Sequence, residues 1–93
     1  MRLSTSTVAT IKQTITQWDP GVVIYLFGSR TDDMKKGGDI DLLVISQRIT
    51  IRKLIDIKLA LYDSLGEQKI DVILARETKK PFVQLVLEKG IAL

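Results

Sequence analysis

The sequence predicts a small α/β (α+β) domain in which a mixed sheet of about three strands has flanking helices. Three short runs rich in β-branched and aromatic residues are typical of strands, and three longer segments carry apolar residues at helical spacing. These elements follow one another in the order α-β-β-α-β-α, without a repeat or a low-complexity segment. We therefore expect the 93 residues to form one domain, residues 1–93.

The first predicted helix runs from Ser4 to Trp18, with serine and threonine residues at its start as candidate N-caps. The turn sequence Asp19-Pro20-Gly21 ends it. The segment from Val22 to Phe27 lies between two glycines and is rich in β-branched and aromatic residues, which predicts a short buried strand.

The second strand is predicted over Asp39 to Ser46 and the third over Lys69 to Ala75. The loop Gly28 to Gly38 is too short for a crossover helix, so we expect the first two strands to be antiparallel. A whole helix, from about Thr50 to Leu65, separates the second strand from the third, which predicts a parallel pair. The last helix is predicted from Pro81 to Gly90, with Phe82, Leu85 and Val86 as its apolar stripe.

The helix from Thr50 to Leu65 carries more apolar residues than one core-facing stripe needs. Its predicted stripe consists of Ile51, Leu54, Ile55, Leu61, Tyr62 and Leu65, widened by Ile57 and Leu59. A small core rarely covers so wide a surface, so we expect part of it to contact another subunit or a partner, in a homo- or hetero-oligomer. Lys58 lies at the centre of the stripe, where a buried stem with a solvated ammonium is expected and a contact with a phosphate or a partner carboxylate is the alternative.

The composition excludes several kinds of site. The chain has no cysteine and no histidine, which rules out disulfides, thiolate or histidine zinc sites and a histidine general base. Any metal must bind to carboxylates, which favour hard ions such as Mg²⁺, Mn²⁺ or Ca²⁺. The net charge of +3 suits anionic ligands such as nucleotides without indicating direct nucleic-acid binding. No apolar run reaches membrane-spanning length, so no membrane segment and a cytoplasmic location are expected.

Two carboxylates open the second strand, and a third follows in the next one. Asp39 and Asp41 leave the same side of their strand, about 6–7 Å apart along it. Asp71 is second in its strand, so parallel pairing would place it beside them. Carboxylates that converge in this way repel each other unless a cation binds them, which predicts a magnesium site. The alternative for an Asp-x-Asp is a solvated strand end, and that remains the better interpretation of Asp32-Asp33.

Gly28 and Ser29 follow the first strand and are candidates for phosphate binding. A glycine without Cβ lets a phosphate approach the backbone, and the residues after it can open a helical turn whose N–H groups face an anion. Taken alone, Gly-Ser is also a common turn. Its position beside the aspartates favours the phosphate site.

Together, "GSRTDDMKKGGDIDLLV" and the later "KIDVILA" resemble the nucleotidyltransferase signature of the DNA polymerase beta superfamily. The size of the chain is similar to that of the minimal nucleotidyltransferases. The resemblance implies a polymerase-beta-like fold covering most of the chain. The spacer departs from the pattern at Gly38, where relatives often have serine, and at Asp32-Asp33 and Lys35-Lys36, which leaves the nucleotide preference open.

The resemblance also implies a role for each candidate residue. Gly28 and Ser29 would hold the β- and γ-phosphates, and Arg30 would either add positive charge there or be an exposed arginine without a ligand. By the same resemblance, Asp39, Asp41 and Asp71 would bind two Mg²⁺ ions, with Mn²⁺ as an alternative, and Asp71 would also help to activate the attacking hydroxyl.

The function implied is Mg²⁺-dependent transfer of AMP from ATP to a hydroxyl of a partner protein. Minimal nucleotidyltransferases are typically paired with HEPN-type proteins, and the resemblance implies the antitoxin of such a toxin–antitoxin pair. Two alternatives remain open: a module that binds nucleotide without turnover, and an interaction protein that neutralises a HEPN partner by forming a complex.

Overall fold

The structure is a computed structural model that describes residues 3–28, 39–66 and 69–93. These ranges contain three helices and a four-stranded mixed sheet, and the predicted α/β (α+β) class is confirmed. In chain order the elements are α1 (Thr5–Thr16), β1 (Val23–Phe27), β2 (Ile40–Ile45), α2 (Ile51–Leu65), β3 (Ile70–Ala75), α3 (Pro81–Lys89) and β4 (Ile91–Ala92). None of the helices in these ranges is long and apolar enough to cross a membrane.

Side-chain caps fix where the first two helices begin. The Ser4 hydroxyl accepts a hydrogen bond from the Thr7 N–H at 3.1 Å and caps α1. The Thr50 hydroxyl does the same for the Lys53 N–H at 3.2 Å and caps α2. Each hydroxyl pairs a backbone donor that the first turn of a helix leaves without a partner.

The strand order is β3-β2-β1-β4. As predicted, β1 and β2 are antiparallel and β2 and β3 are parallel. The register pairs Phe27 with Asp41 across the antiparallel ladder and Asp41 with Asp71 across the parallel one. Because paired residues point to the same side of a sheet, all three lie on one face.

The fourth strand was not predicted. β4 pairs antiparallel with β1, and in this pairing Leu26 lies opposite Ile91. The strand has only two residues, which is too few to show an alternating pattern in the sequence. Gly90 allows this turn, because a Cβ there would lie 2.6 Å from the Val86 carbonyl oxygen and 2.8 Å from that of Leu26. The tight turn returns the chain from α3 to the edge of β1.

The two faces of the sheet are covered unequally. The first face packs on α1 and α2, and its buried residues are Ile24, Leu26, Ile40, Leu42, Val44, Ile70 and Val72. The other, which we call the open face, is covered in part by α3 through Val83 and Val86 on Leu43. Alternation along β2 and β3 places Asp41 and Asp71 on this open face.

The apolar surface of α2 is divided differently from the prediction. Ile57 and Leu61 are buried, and Leu54 and Leu65 pack beside them, so Ile57 lies inside the core-facing stripe rather than at its margin. Three other apolar residues of this helix are exposed, and we call them the α2 stripe: Ile51 (75%), Ile55 (63%) and Leu59 (58%). Lys58 is half-buried. The helix therefore keeps an apolar face outside the core.

Candidate active site

Asp41 and Asp71 stand side by side on the open face. Their strands are parallel and in register, so neighbouring Cα positions are about 4.8 Å apart. Asp39 precedes β2 by one residue, at the same end of the sheet. The placement of Asp71 beside Asp41 follows the geometry expected from the sequence.

The surroundings of Asp41 raise the pKa of its carboxyl above the ordinary value. Burial is the main cause, and the charges of Asp71 and then Asp39 add to it. The Lys69 ammonium acts in the opposite direction. A carboxylate in this position is stabilised by a proton or by a cation that neutralises the crowded negative charge.

Asp39 has a cationic neighbour already. The Lys69 Nζ lies 3.5 Å from the Asp39 Oδ2, and the Lys69 and Asp39 side chains are 68% and 44% exposed. An exposed ion pair of this kind contributes little to stability, because water solvates both partners and salt screens them. Asp39 can exchange this contact for another cation at low cost.

Carboxylate oxygens are suitable ligands for a divalent ion, since hard ions such as Mg²⁺ prefer oxygen ligands. Their crowding around Asp41 also favours a cation. In the described ranges, however, no group of three or more acidic side chains is arranged to hold a metal ion. Asp39 faces Lys69, so it would have to turn toward Asp41 and Asp71 for the three to share one.

Gly28 lies directly against the Asp41 carboxylate. Its φ of +79° is in the left-handed region that glycine tolerates, and a Cβ there would overlap the Asp41 Oδ2 and lie 3.3 Å from the Cγ. Any side chain at position 28 would displace Asp41 or shift the strand end. The glycine expected to border the phosphates therefore lies against one of the carboxylates expected to hold metal.

The remaining sequence-predicted site residues, Ser29 and Arg30, lie outside the described residues, as do Asp32-Asp33, Lys35-Lys36 and Gly38.

An aromatic pair that lies beside the carboxylates was not predicted from the sequence. The rings of Phe27 and Phe82 meet edge to face with centroids 5.5 Å apart, and Phe27 is the cross-strand partner of Asp41. The predicted α3 stripe was partly wrong, because Val83 and Val86 are the buried residues while Phe82 (43%) and Leu85 (50%) are exposed. The i, i+3 spacing of Val83 and Val86 is the signal that could have found this.

The comparison with protein families agrees with this arrangement. The model of the family described as polymerase beta, nucleotidyltransferase matches residues 9–93, which include Gly28 and all three aspartates. No curated protein matches the chain. With nearly the whole chain matched and with Gly28, Asp41 and Asp71 meeting at one end of the sheet, the chain belongs to the polymerase beta nucleotidyltransferase family.

Proposed function

We propose that the protein is a Mg²⁺-dependent nucleotidyltransferase that moves AMP from ATP to a hydroxyl group of a partner protein. Membership of the family supports nucleotidyl transfer in general. The observation that carries the proposal is the contact of Gly28 with the Asp41 carboxylate, next to Asp71. This contact supports the proposal because Gly28 is a candidate for phosphate binding and Asp41 is a candidate for metal binding.

Under this proposal, Asp39, Asp41 and Asp71 hold Mg²⁺, or Mn²⁺ in its place. A bound divalent ion polarises a phosphoryl oxygen and stabilises the charge that develops during transfer. The raised pKa of Asp41 supports this role, because a cation relieves the repulsion from Asp71 and Asp39. Gly28 and Ser29 would carry the β- and γ-phosphates, with Arg30 adding positive charge.

The transfer step needs a proton acceptor, and Asp71 is the proposed one. Its side chain stands on the edge strand of the sheet, where an incoming hydroxyl can approach from outside. The acceptor oxygen forms a bond to the α-phosphorus as the bond from that phosphorus to the bridging oxygen of the β-phosphate breaks. Pyrophosphate leaves, and the hydroxyl proton passes to Asp71.

The proposed acceptor is a partner protein of the HEPN type, which would make this chain an antitoxin that works in the cytoplasm. The resemblance to minimal nucleotidyltransferases supports this partner. The exposed α2 stripe, Ile51, Ile55 and Leu59, supports association with another chain, because an apolar helix face of this kind is typical of an interaction surface. Ile55→Asp should weaken that association in size-exclusion chromatography.

A second candidate function is nucleotide binding without turnover, in which the chain neutralises its partner by forming a complex. The ion pair between Asp39 and Lys69 favours it, because Asp39 is paired with Lys69 rather than grouped with Asp41 and Asp71 around a metal site. The two candidates differ in whether the partner becomes covalently modified.

Co-expression of the chain with a HEPN-type partner, followed by intact-mass measurement of that partner, tests the proposal. We expect one or more AMP additions that require Mg²⁺ and disappear with Asp41→Asn. The matched control is Glu88→Gln, an exposed carboxylate on α3 changed to its amide, which should leave the additions in place. A partner that is inhibited but never modified would contradict transfer and favour the binding module.

A further inference from the structure

Two exposed apolar side chains on α3 border a cleft beside the candidate active site. The cleft has a volume of about 180 Å³, and its lining includes Phe27, Gly28, Phe82, Leu85 and Lys89. Phe82 and Leu85 are 43% and 50% exposed although both are large and apolar. Their exposed surfaces are therefore available to a ligand in the cleft.

The cleft adjoins the carboxylate site at Gly28. Gly28 lines the cleft and also lies against the Asp41 carboxylate. Phe27, on the same wall, is the cross-strand partner of Asp41. A molecule whose phosphates lie at Gly28 therefore has this cleft as an immediate neighbour for the rest of its structure.

The chemistry of the lining suits a flat, weakly polar group. Phe82 offers an aromatic ring, Leu85 an aliphatic surface and Lys89 an ammonium donor at the rim. Nucleobases stack on aromatic side chains through their π faces, and their ring nitrogens and carbonyl oxygens accept hydrogen bonds from a lysine. The volume is below the roughly 300–1,000 Å³ of pockets that enclose a drug-sized ligand, so it suits a base rather than a whole nucleotide.

A second cleft, of about 280 Å³, lies on the other side of Phe82 and provides a contrast. It is lined by Ile73, Arg76 and Lys80 and does not include Gly28. Ile73 is 41% exposed, which makes it comparable to Leu85 in chemistry and exposure, and it lines this second cleft but not the first.

We propose that the cleft between Gly28 and α3 holds the base of the nucleotide whose phosphates lie at Gly28, an inference that rests on the proposed function. Phe82 provides the stacking surface, Leu85 packs against the edge of the base, and Lys89 donates a hydrogen bond to it. The side of α3 that carries Phe82, Leu85 and Lys89 is then the part of the chain that distinguishes a nucleotide from a bare polyphosphate.

Equilibrium binding of two ligands in the presence of Mg²⁺ tests this assignment. ATP carries the base, whereas inorganic tripolyphosphate offers the same phosphates without it. We expect Phe82→Ala to raise the Kd for ATP about tenfold, the size expected for loss of a base–aromatic stack, and Leu85→Ala to raise it severalfold. The Kd for tripolyphosphate should stay unchanged in both variants, and Ile73→Ala should change neither value.

The outcomes separate this inference from the proposed function. If the wild type binds both ligands and neither Phe82→Ala nor Leu85→Ala affects ATP, the base site is wrong while the phosphate site stands. Equal losses for ATP and tripolyphosphate would also contradict a base contact. If the wild type binds neither ligand, both the base site and the proposed function are overturned. Should Phe82→Ala fail to fold, Leu85→Ala and Lys89→Gln decide the question through the same pair of ligands.

Discussion

The two ends of the sheet hold buried or half-buried aspartates in opposite electrostatic situations. At one end Asp19 accepts hydrogen bonds from the Ser46 hydroxyl at 2.6 Å and from the Gly21 N–H at 3.0 Å. The Ser46 bond is the main cause of a pKa below the ordinary value for the Asp19 carboxyl. At the other end burial and the charges of its neighbours raise the pKa of Asp41.

The partners of each carboxylate explain the difference. The Ser46 hydroxyl donates a hydrogen bond to Asp19, and its oxygen accepts hydrogen bonds from the N–H groups of Arg48 at 3.1 Å and Ile49 at 3.0 Å. The chain itself therefore supplies the partners of this network. Asp41 instead has Asp71 and Asp39 as neighbours. The Asp19 end serves the stability of the fold, whereas the Asp41 end is suited to a cationic ligand from outside.

The largest effect is expected from Asp41→Asn, which removes the carboxylate at the centre of the candidate site. Because it removes a proposed metal ligand, we expect the rate of nucleotidyl transfer to fall by about a thousandfold or more. The free energy of unfolding should stay the same or rise slightly, because the amide no longer repels Asp71 and Asp39. Transfer assays and urea denaturation measure the two quantities, and retained activity would contradict the assignment.

The opposite pattern is expected from Ser46→Ala at the other end. The variant removes the hydrogen bond to Asp19 and leaves the N–H groups of Arg48 and Ile49 without their acceptor. We expect the Tm to fall by roughly 5–10 °C, while affinity for Mg²⁺ and nucleotide is retained in the folded protein. Ser64→Ala, on the exposed side of α2, is the control that should leave the Tm unchanged.

The two aspartates should also give stability opposite dependences on pH in the absence of metal. The pKa of Asp19 is lowered by folding, so its contribution is present above the unfolded value of about 3.9 and is lost as the pH falls through the folded value. The pKa of Asp41 is raised by folding, so the folded state takes up its proton first and gains stability as the pH falls from neutral toward about 4.

Denaturation in chelator at a series of pH values measures both contributions. Asp41→Asn should remove the gain on mild acidification, and Asp19→Asn should remove part of the loss at lower pH. If both variants kept the profile of the wild type, the two pKa shifts would not be what separates the two ends.

The smallest effect is expected from Lys69→Gln, which tests whether the ion pair with Asp39 opposes metal binding. Lys69 competes with a metal ion for the Asp39 carboxylate, so its loss should raise the affinity for Mg²⁺ about two- to threefold. The free energy of unfolding should change by less than about 1 kcal/mol, because the ion pair is exposed. Titration calorimetry measures the affinity for Mg²⁺, with Lys53→Gln, at an exposed position on α2, as the control. An equal rise in Mg²⁺ affinity in Lys53→Gln would show that the effect is a non-specific change of charge.

The sequence was sufficient to predict that Asp41 and Asp71 would lie side by side. A period of two along β2, together with a helix between β2 and β3, predicts parallel strands with Asp41 and Asp71 on one face, and this is the pairing observed. These rules depend only on the backbone. They therefore hold without knowledge of side-chain packing.

Features that depend on packing could not be predicted in the same way. In α2 apolar residues occupy so many positions that several stripes are compatible with the spacing, and only contact with α1 and the sheet selects Ile57 over Ile51. In α3, nine residues are too few to distinguish a stripe through Phe82 from one through Val83. The contact of Asp39 with Lys69 depends on two side-chain conformations that spacing does not specify.

Paramagnetic mapping with Mn²⁺ and ATP tests most directly whether the Gly28 end of the sheet is the metal and nucleotide site. In spectra of the backbone amides, we predict that signals from Gly28, Asp41 and Asp71 broaden at low Mn²⁺, while those of Gly21 and Ser46 at the other end stay sharp. The broadening should disappear in Asp41→Asn. Broadening centred on Asp19 and Ser46, or broadening that persists unchanged in Asp41→Asn, would contradict it.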